Sequence, residues 1–544
     1  MTSADKRINL LPFPKRLAFH SGELAVPAAP VSTQSQTAPG NGYTLSISPD
    51  GIQIDAATPQ AAYHAQATLQ QILNQYPRNI PCLEISDWPD LPVRGYMLDI
   101  SRCKVPTQKS LFQLVDLLAS LKYNQLQLYT EHTFAYREHP RVWQDASPLS
   151  PQDIQELDAY CRERFIELVP NQNSFGHMER WLRHPEYHHL AESPRGFEHP
   201  IAGWKQYGST LKPTAATADF VDSLFAELLP NFTSRQLNVG GDEPWELGQG
   251  YSAAEVAARG KTRVYLDHLL RIQKKVRDRG YSMQFWGDII INQPELATEL
   301  GPDITALLWG YEVDHPFADH CQAMRRAQAT FMVVPGTSTW NSIGGRLYTA
   351  LPNIDQAATN AQRFSAQGLL LTDWGDNGHQ QSHLLSIVPI LAAAERAWNA
   401  DCARPLELEA AATQLIPHPV SKSEYATILR LSEIASGFSS YLHNQSWLNK
   451  ILFAKPADYA ALKEQLRHEE LARALASLQA LQANGELALA RDLLAYAAQK
   501  GIALLSYQSP PPLPQDHIER YRHYWLARNR PGGLEESVSH FPSN

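Results

Sequence analysis

The sequence lacks the features that mark several common classes of protein. Its 544 residues include only five scattered cysteines with no C-x-x-C spacing, which is typical of reduced thiols in the cytoplasm. No run of about 18 apolar residues is present, so no membrane span is expected. The net charge of -9, without any basic tract, argues against nucleic acid and anionic membranes as main partners. Residues 1–11 have no apolar stretch of signal-peptide length, which also favours the cytoplasm.

The length and composition predict more than one domain. A chain that is 43% hydrophobic and 19% charged can build a large core divided over two or three domains. In residues 1–90, the alternating runs Tyr43–Ser48 and Gly51–Ala56 predict a β-hairpin, and apolar spacing predicts a helix from Ala61 to Tyr76. We therefore expect a small α+β domain at residues 1–90.

Residues 91–404 show a different pattern, in which short β-type runs alternate with helix-compatible stretches. The runs are Arg94–Ser101, Tyr123–Thr130, Phe165–Asn173, Gln236–Glu243, Ser282–Ile289, Ile304–Tyr311, Thr330–Ser338 and Gly368–Asp376. Eight such repeats predict an α/β fold of the (β/α)8 TIM-barrel type. A doubly wound open sheet is the alternative, but no G-x-G-x-x-G follows a strand.

Residues 405–544 are predicted to be a helical region. Apolar residues recur at helical spacing in Tyr425–Leu442, Tyr459–Leu481 and Glu486–Leu505. Their apolar stripes fit either packing against the barrel or a homo-oligomer interface.

Two adjacent carboxylates follow the fourth β run, in the segment Gly240–Pro244. Pro244 cannot continue a strand, and the two glycines allow another backbone or a ligand to come close, so Asp242 and Glu243 should lie where the strand ends. Two carboxylates at a barrel mouth are candidates for acid–base catalysis. The alternative is a helix start, with Asp242 as the N-cap.

Further polar and aromatic residues follow the other β runs, where a barrel carries its chemistry. They are Asp99, Arg102, Glu131, His177, Trp286, Asp288, Trp309, Tyr311, Trp340, Asn341, Trp374 and Asp376. Four of the 12 tryptophans thus fall at four successive strand ends. Core packing explains any one of them, but four indoles rimmed by carboxylates suit a sugar, whose C–H face packs on aromatic rings.

With these residues the chain resembles glycoside hydrolase family 20, the β-N-acetylhexosaminidases. The resemblance rests on Gly240–Glu243, on Arg94-Gly95, on Gly176-His177 and on the tryptophans of runs five, six and eight, and it covers roughly residues 40–400. It implies exo-hydrolysis of terminal β-linked N-acetylglucosamine or N-acetylgalactosamine with retention. The substrate's acetamido oxygen would form an oxazolinium intermediate, so neither a metal nor an organic cofactor is implied.

The resemblance also implies a role for each matching residue. Glu243 would be the general acid and base, Asp242 would accept the acetamido N–H, and His177 with Glu131 would form a relay beside Glu243. Arg94 would bind the 3- and 4-hydroxyls of the sugar ring. The expected substrate-binding residues are Arg94, Trp286, Asp288, Trp309, Tyr311, Trp340, Asn341, Trp374 and Asp376.

Two points depart from the family pattern or leave a choice. Better-known members carry a tyrosine on strand seven that donates to the acetamido oxygen, whereas this chain has Thr339-Trp340-Asn341 there. Tyr311 is the candidate substitute, and Asn341 the candidate for hydroxyl recognition. Arg94 lies at the start of its run, so it could instead be a structural ion-pair residue at a domain junction.

Two other functions stay open. A two-carboxylate retaining β-glycosidase would need a nucleophile, such as Asp288 or Glu131, about 5 Å from Glu243. A non-catalytic amino-sugar-binding protein would have the same four strand-end tryptophans and would bind the sugar without hydrolysing it. No metal site is expected at His184 and His188, because no metal-binding motif accompanies their i,i+4 spacing.

Overall fold

The computed structural model describes residues 8–26, 29–34, 40–200, 203–402, 404 and 406–542. It consists of an N-terminal sheet with one helix, an eight-stranded parallel barrel ringed by helices, and a C-terminal helical region. The predicted fold class is confirmed. No helix in the described ranges combines the length and hydrophobicity needed to cross a membrane.

The strands are β1 (Arg16–Ala25), β2 (Pro30–Gln34), β3 (Tyr43–Ser48), β4 (Gly51–Ala56), β5 (Asn79–Asp87), β6 (Val93–Asp99), β7 (Gln125–Tyr129), β8 (Glu167–Val169), β9 (Phe197–His199), β10 (Gly203–Lys205), β11 (Gln236–Asn238), β12 (Ser282–Trp286), β13 (Ile304–Trp309), β14 (Thr330–Val334) and β15 (Gly368–Asp373). The α-helices are α1 (Pro59–Gln75), α2 (Gln108–Ser120), α3 (Pro140–Trp143), α4 (Pro151–Arg162), α5 (Glu179–Leu182), α6 (Ala215–Leu228), α7 (Ala253–Arg259), α8 (Lys261–Asp278), α9 (Phe317–Arg326), α10 (Leu347–Arg363), α11 (Ile387–Trp398), α12 (Leu408–Ala410), α13 (Lys422–Ala435), α14 (Trp447–Phe453), α15 (Tyr459–Gln465), α16 (His468–Ala480), α17 (Gly485–Leu505), α18 (Gln515–Arg528) and α19 (Leu534–Ser539).

The N-terminal sheet has the strand order β1-β5-β3-β4-β2. The predicted hairpin is its β3–β4 pair, in which Ser48 opposes Gly51. Helix α1 begins after Thr58, whose hydroxyl accepts the Ala61 N–H, and Pro59 occupies the first turn, where a missing N–H costs nothing. Its apolar face packs on the sheet with Leu45, Ile54 and the other buried residues of this small core.

The barrel consists of the eight predicted strands, in the order β11-β12-β13-β14-β15-β6-β7-β8. Every pairing is parallel, and a further parallel bridge between Asn171 and Asn238 joins β8 to β11. The carboxyl ends of all eight strands therefore meet at one mouth, which is where a barrel presents its reactive groups.

The amino end of the barrel is closed by a buried network at the junction with the N-terminal domain. Lys122 Nζ lies 2.9 Å from Asp87 Oδ2 and 3.0 Å from the Tyr43 hydroxyl. Asp87 Oδ1 accepts the indole N–H of Trp398 at 2.8 Å. Lys122 is only 1% exposed and Asp87 is fully buried, so this ion pair is stabilised by its hydrogen bonds rather than by water.

The C-terminal helices pack against the barrel. The backbone N–H of Leu347 donates to Ser432 Oγ at 2.7 Å, and that of Ser446 donates to Asn341 O at 3.0 Å. Two predicted helices were too long, because α13 ends at Ala435 and the Tyr459–Leu481 stretch divides into α15 and α16 around Leu466.

Candidate active site

The acid pair lies at the carboxyl end of β11, and both side chains face the same histidine. His177 Nε2 lies 3.2 Å from Asp242 Oδ2 and 3.4 Å from Glu243 Oε2. Asp242 is 6% exposed, whereas the Glu243 side chain is 32% exposed. The alternative of a helix start is wrong, because neither acid begins a helix. The pair therefore combines a buried carboxylate with one that solvent or a substrate can reach.

The backbone around the pair explains why these residue types occur here. Gly240 and Gly241 have φ of +69° and +89°, a region that glycine enters without strain. A Cβ at Gly240 would lie 2.2 Å from Asn173 Oδ1, and a Cβ at Gly176 would lie 2.1 Å from Asp242 O. Glu243 itself has φ of +46°, and strained conformations of this kind cluster at functional sites.

Asp242 keeps one hydrogen-bonding atom unused. Its Oδ1 is buried and accepts no hydrogen bond from the described residues, whereas Oδ2 faces His177. Burial by itself lowers the pKa of His177, but the charge of Asp242 and the contacts with both acids raise it well above its usual value. A positively charged His177 thus faces Oδ2 of Asp242, and the second oxygen, Oδ1, is left to accept a ligand N–H.

Arg102 links the first, second and third strand ends. Its Nε lies 3.1 Å from Glu131 Oε1, its Nη1 lies 3.1 Å from Asp99 Oδ2, and its Nη2 lies 3.5 Å from His177 Nδ1. Its guanidinium also lies over the ring of Trp374 at 5.0 Å. Arg102 thus lies between His177 and Glu131, the two residues that were predicted to form a relay beside Glu243.

The prediction that Arg94 grips the sugar is wrong. Arg94 lies at the start of β6, at the opposite end of the barrel from the acid pair. Its guanidinium donates to the carbonyl oxygens of Lys122, Leu91 and Pro92 at 2.8, 2.9 and 3.1 Å and lies 5.0 Å from the Trp398 ring. The structural alternative at the domain junction is the one that the geometry supports.

The four strand-end tryptophans and Tyr311 belong to one aromatic cluster. Trp309 stacks on Tyr311 at a centroid distance of 5.3 Å, and Trp286 lies 5.8 Å from Trp374. Trp309 and Tyr311 are partly exposed at the mouth. Trp286 and Trp340 are fully buried, so for these two the predicted sugar contact is corrected to support of the other rings from beneath.

Tyr311, the candidate substitute donor, lies beside Trp374 at the mouth of the barrel. Its hydroxyl oxygen accepts the Trp374 indole N–H at 2.8 Å. Burial raises the pKa of Tyr311, although hydrogen bonds with Thr372 and Trp374 act in the opposite direction. Asn341 lies at the rim, where its side chain accepts from Asn377 Nδ2 at 3.0 Å and contacts Asn444 O at 3.3 Å, so the C-terminal region helps to hold it.

Two further carboxyls of the site have raised pKa values. Burial and the charge of Asp242 raise the pKa of Asp288 to about 8. Burial raises the pKa of Asp376 to about 6, although Arg102 opposes the change. Asp288 Oδ2 accepts the backbone N–H of Glu243 at 3.2 Å, and Oδ1 lies 3.4 Å from Trp309 Nε1. Carboxyls with raised pKa values gathered around one acid pair are typical of a catalytic site.

No group of three or more His, Cys, Asp or Glu side chains within the described ranges has the arrangement that a metal ion needs.

Comparison with protein families identifies the chain. The model of the glycosyl hydrolase family 20 catalytic domain matches residues 91–401, and that of the family's domain 2 matches residues 22–88. The chain belongs to glycosyl hydrolase family 20. It is accordingly a glycoside hydrolase, and the first of these matches spans the barrel that carries Asp242 and Glu243.

Curated relatives of this family 20 chain are β-hexosaminidases. Subunit A1 of the Dictyostelium discoideum enzyme is 23% identical over 413 residues, which cover 67% of this chain and 71% of that protein. The Akkermansia muciniphila β-hexosaminidase is 28% identical over 268 residues, 45% of this chain and 54% of its own length. The chain thus spans only about half of the second relative.

Solved structures share the fold. A Flavobacterium johnsoniae chitobiase superposes with a TM-score of 0.62 at 16% identity, covering 98% of both chains. The Streptomyces plicatus N-acetyl-β-hexosaminidase in complex with Thio-NAglucal gives 0.58 at 18% identity over 78% of this chain and 95% of that one. At these identities the likeness concerns the fold alone.

Proposed function

We propose that the chain is an exo-β-N-acetylhexosaminidase that hydrolyses terminal β-linked N-acetylglucosamine or N-acetylgalactosamine with retention, by participation of the substrate's acetamido group. The observation that carries the proposal is the unpaired, buried Oδ1 of Asp242 beside the accessible carboxyl of Glu243. An acetamido N–H supplies the donor that Oδ1 lacks, and hydrogen bonding there orients the amide oxygen toward the anomeric carbon.

The first step breaks the glycosidic bond. Glu243 transfers a proton to the departing oxygen as the C–O bond breaks, and the acetamido oxygen forms a bond to the anomeric carbon. The resulting oxazolinium ion carries positive charge next to the Asp242 carboxylate, which stabilises it. Tyr311 and Trp309 lie at the mouth, where they can contact the amide and the sugar ring.

The second step releases the sugar. Glu243, now a carboxylate, accepts a proton from water while the water oxygen attacks the anomeric carbon and the oxazolinium C–O bond breaks. The acetamide is regenerated, and two inversions at the anomeric carbon give net retention. His177 keeps its contact with both acids in each step and thereby holds Asp242 in place.

The two-carboxylate rival is less well supported by the same geometry. A nucleophilic carboxylate must be ionised, but the pKa of Asp288 is raised to about 8 and that of Glu131 is also raised by burial. Glu131 further accepts from the Tyr129 hydroxyl at 3.1 Å and pairs with Arg102. Neither Asp288 nor Glu131 is therefore well suited to act as the nucleophile.

A panel of 4-nitrophenyl β-glycosides tests the proposal. Substrates with a 2-acetamido group should be hydrolysed with kcat/KM higher by about 10³-fold or more than their 2-hydroxy counterparts, since only they supply the nucleophile. A thiazoline mimic of the oxazolinium should inhibit, and a 2-fluorosugar should not label the protein. Covalent labelling of Asp288 or Glu131 would favour the rival, and binding of N-acetylglucosamine without any turnover would favour a sugar-binding protein.

Cytoplasmic localisation and homo-oligomer assembly stay predictions. Cell fractionation and light scattering of the purified chain are the measurements that test them.

A further inference from the structure

A large cavity lies outside the barrel, where the C-terminal helices cover it. Its volume is about 450 Å³, and its walls come from α2 and α11 of the barrel and from α17 and α18 of the C-terminal region. Small-molecule sites typically have volumes of about 300–1,000 Å³. Neither Asp242 nor Glu243 belongs to its walls, so the cavity is separate from the acid pair.

Aliphatic side chains from three helices line the body of the cavity. Leu114 and Leu117 line it from α2, Ile390 lines it from α11, and Leu489 and Leu493 line it from α17. Such walls offer dispersion contacts and no hydrogen bonds, which suits an alkyl chain.

One end of the cavity is polar and is dominated by Lys104. This lysine follows β6, its Nζ donates to Gln381 O at 2.9 Å, and it lies 5.3 Å from the Trp525 ring. A lysine ammonium has three N–H donors, so one carbonyl does not satisfy it. Burial lowers the pKa of Lys104 to about 8, although Glu486 and Asp373 act in the opposite direction. The ammonium thus lacks full compensation for the water it has lost.

The carboxylates near Lys104 already have donors of their own. Glu486 accepts from Arg528 Nε at 2.8 Å and also from the hydroxyl of Ser382. Glu486 is therefore engaged, whereas Lys104 has donors to spare.

Asp373, also beside Lys104, is engaged in the same way. It accepts from the Tyr96 hydroxyl at 2.6 Å and from Thr337 and Thr339 at 2.8 Å each. The spare donors of Lys104 therefore make this end complementary to an additional acceptor.

We propose that this cavity is a second binding site, which takes an aliphatic carboxylate with its head group on Lys104 and its alkyl chain between α2 and α17. The charge-assisted hydrogen bond at one end and the aliphatic walls at the other together select for an ionised head and an apolar body.

Calorimetric titration of the full chain with dodecanoate, kept below its micelle concentration, tests this assignment. We expect saturable binding of one dodecanoate per chain. Dodecanol and methyl dodecanoate have the same apolar body without the charge, and they should bind about tenfold more weakly or worse. Equal affinity for dodecanol, or uptake that does not saturate, would overturn the proposal.

Three variants locate the site. Lys104→Met should weaken dodecanoate binding about tenfold, whereas Lys109→Met, which removes an exposed lysine from α2, should leave it unchanged. Leu489→Trp fills the body of the cavity and should abolish binding. Circular dichroism and thermal melting show whether each variant is folded, and a folded Lys104→Met or Leu489→Trp protein with unchanged affinity contradicts the assignment.

Discussion

The two ends of the barrel each hold an arginine among buried or partly buried charges, but the two arginines have different kinds of partner. At the amino end, Arg94 donates to three carbonyl oxygens, and Lys122 pairs with Asp87. At the carboxyl end, acids crowd one another around Arg102, and Asp242 keeps a buried oxygen without a partner. Similar residue types thus build a structural junction, where Arg94 and Lys122 are bonded to protein groups, and a reactive site, where Asp242 keeps an acceptor oxygen available to a substrate.

Removing the general acid should have the largest effect at the reactive end. Glu243→Gln should lower kcat about 10²- to 10⁴-fold on 4-nitrophenyl N-acetyl-β-glucosaminide, because the leaving oxygen is no longer protonated. The loss should be smaller for a 2,4-dinitrophenyl leaving group, which departs without acid assistance. An equal loss on both substrates would show that Glu243 is not the acid.

The two arginines give a matched test of the comparison itself. Arg102→Met should lower kcat/KM about 10²-fold per folded molecule, since Arg102 holds Glu131 and lies against His177. Arg94→Met should instead lower the free energy of unfolding by about 2–4 kcal/mol by leaving buried carbonyl oxygens unpaired. Its kcat/KM per folded molecule should stay within about twofold of the wild type.

Steady-state kinetics combined with urea unfolding separates the two outcomes. If Arg94→Met loses activity without losing stability, or if Arg102→Met loses stability alone, the division between a structural end and a reactive end is wrong.

A smaller effect concerns stability against pH. The pKa of Asp288 in the folded chain is about 8, above its value of about 3.9 in an unfolded chain, so the native state holds a proton that the unfolded state has lost between these pH values. This contribution to stability is fully present below pH ~3.9 and is lost as the pH rises through about 8. Asp288→Asn cannot lose that proton, so its Tm relative to the wild type should rise by roughly 2–4 °C between pH 4.5 and pH 8. A Tm difference that does not change with pH would contradict the raised pKa.

Much of this comparison was predictable from the sequence, and its failures have physical causes. The barrel followed from eight repeated β runs, and the acid pair followed from glycines and a proline that end a strand beside two carboxylates. Arg94 was misassigned because its role was taken from the family resemblance, although its place at the start of the run already favoured the structural alternative. Arg102, at the other end of β6, is the arginine that reaches the acids.

Other features depend on contacts that no local pattern records. Trp340 and Asn341 contact Asn444 of the C-terminal region, about 100 residues away in sequence, through bonds of 2.6 and 3.3 Å. The cavity at Lys104 has walls from both the barrel and the C-terminal helices. Contacts between separate segments such as these appear only in the folded structure.

The rate of Asp242→Asn on 4-nitrophenyl N-acetyl-β-glucosaminide tests the central claim most directly. Asparagine keeps the size of the side chain but removes the charge that faces His177 and the developing oxazolinium. We expect kcat to fall by about 10²-fold or more, with a parallel weakening of thiazoline inhibition. A variant that is folded and hydrolyses this substrate at nearly the wild-type rate would contradict acetamido participation steered by Asp242.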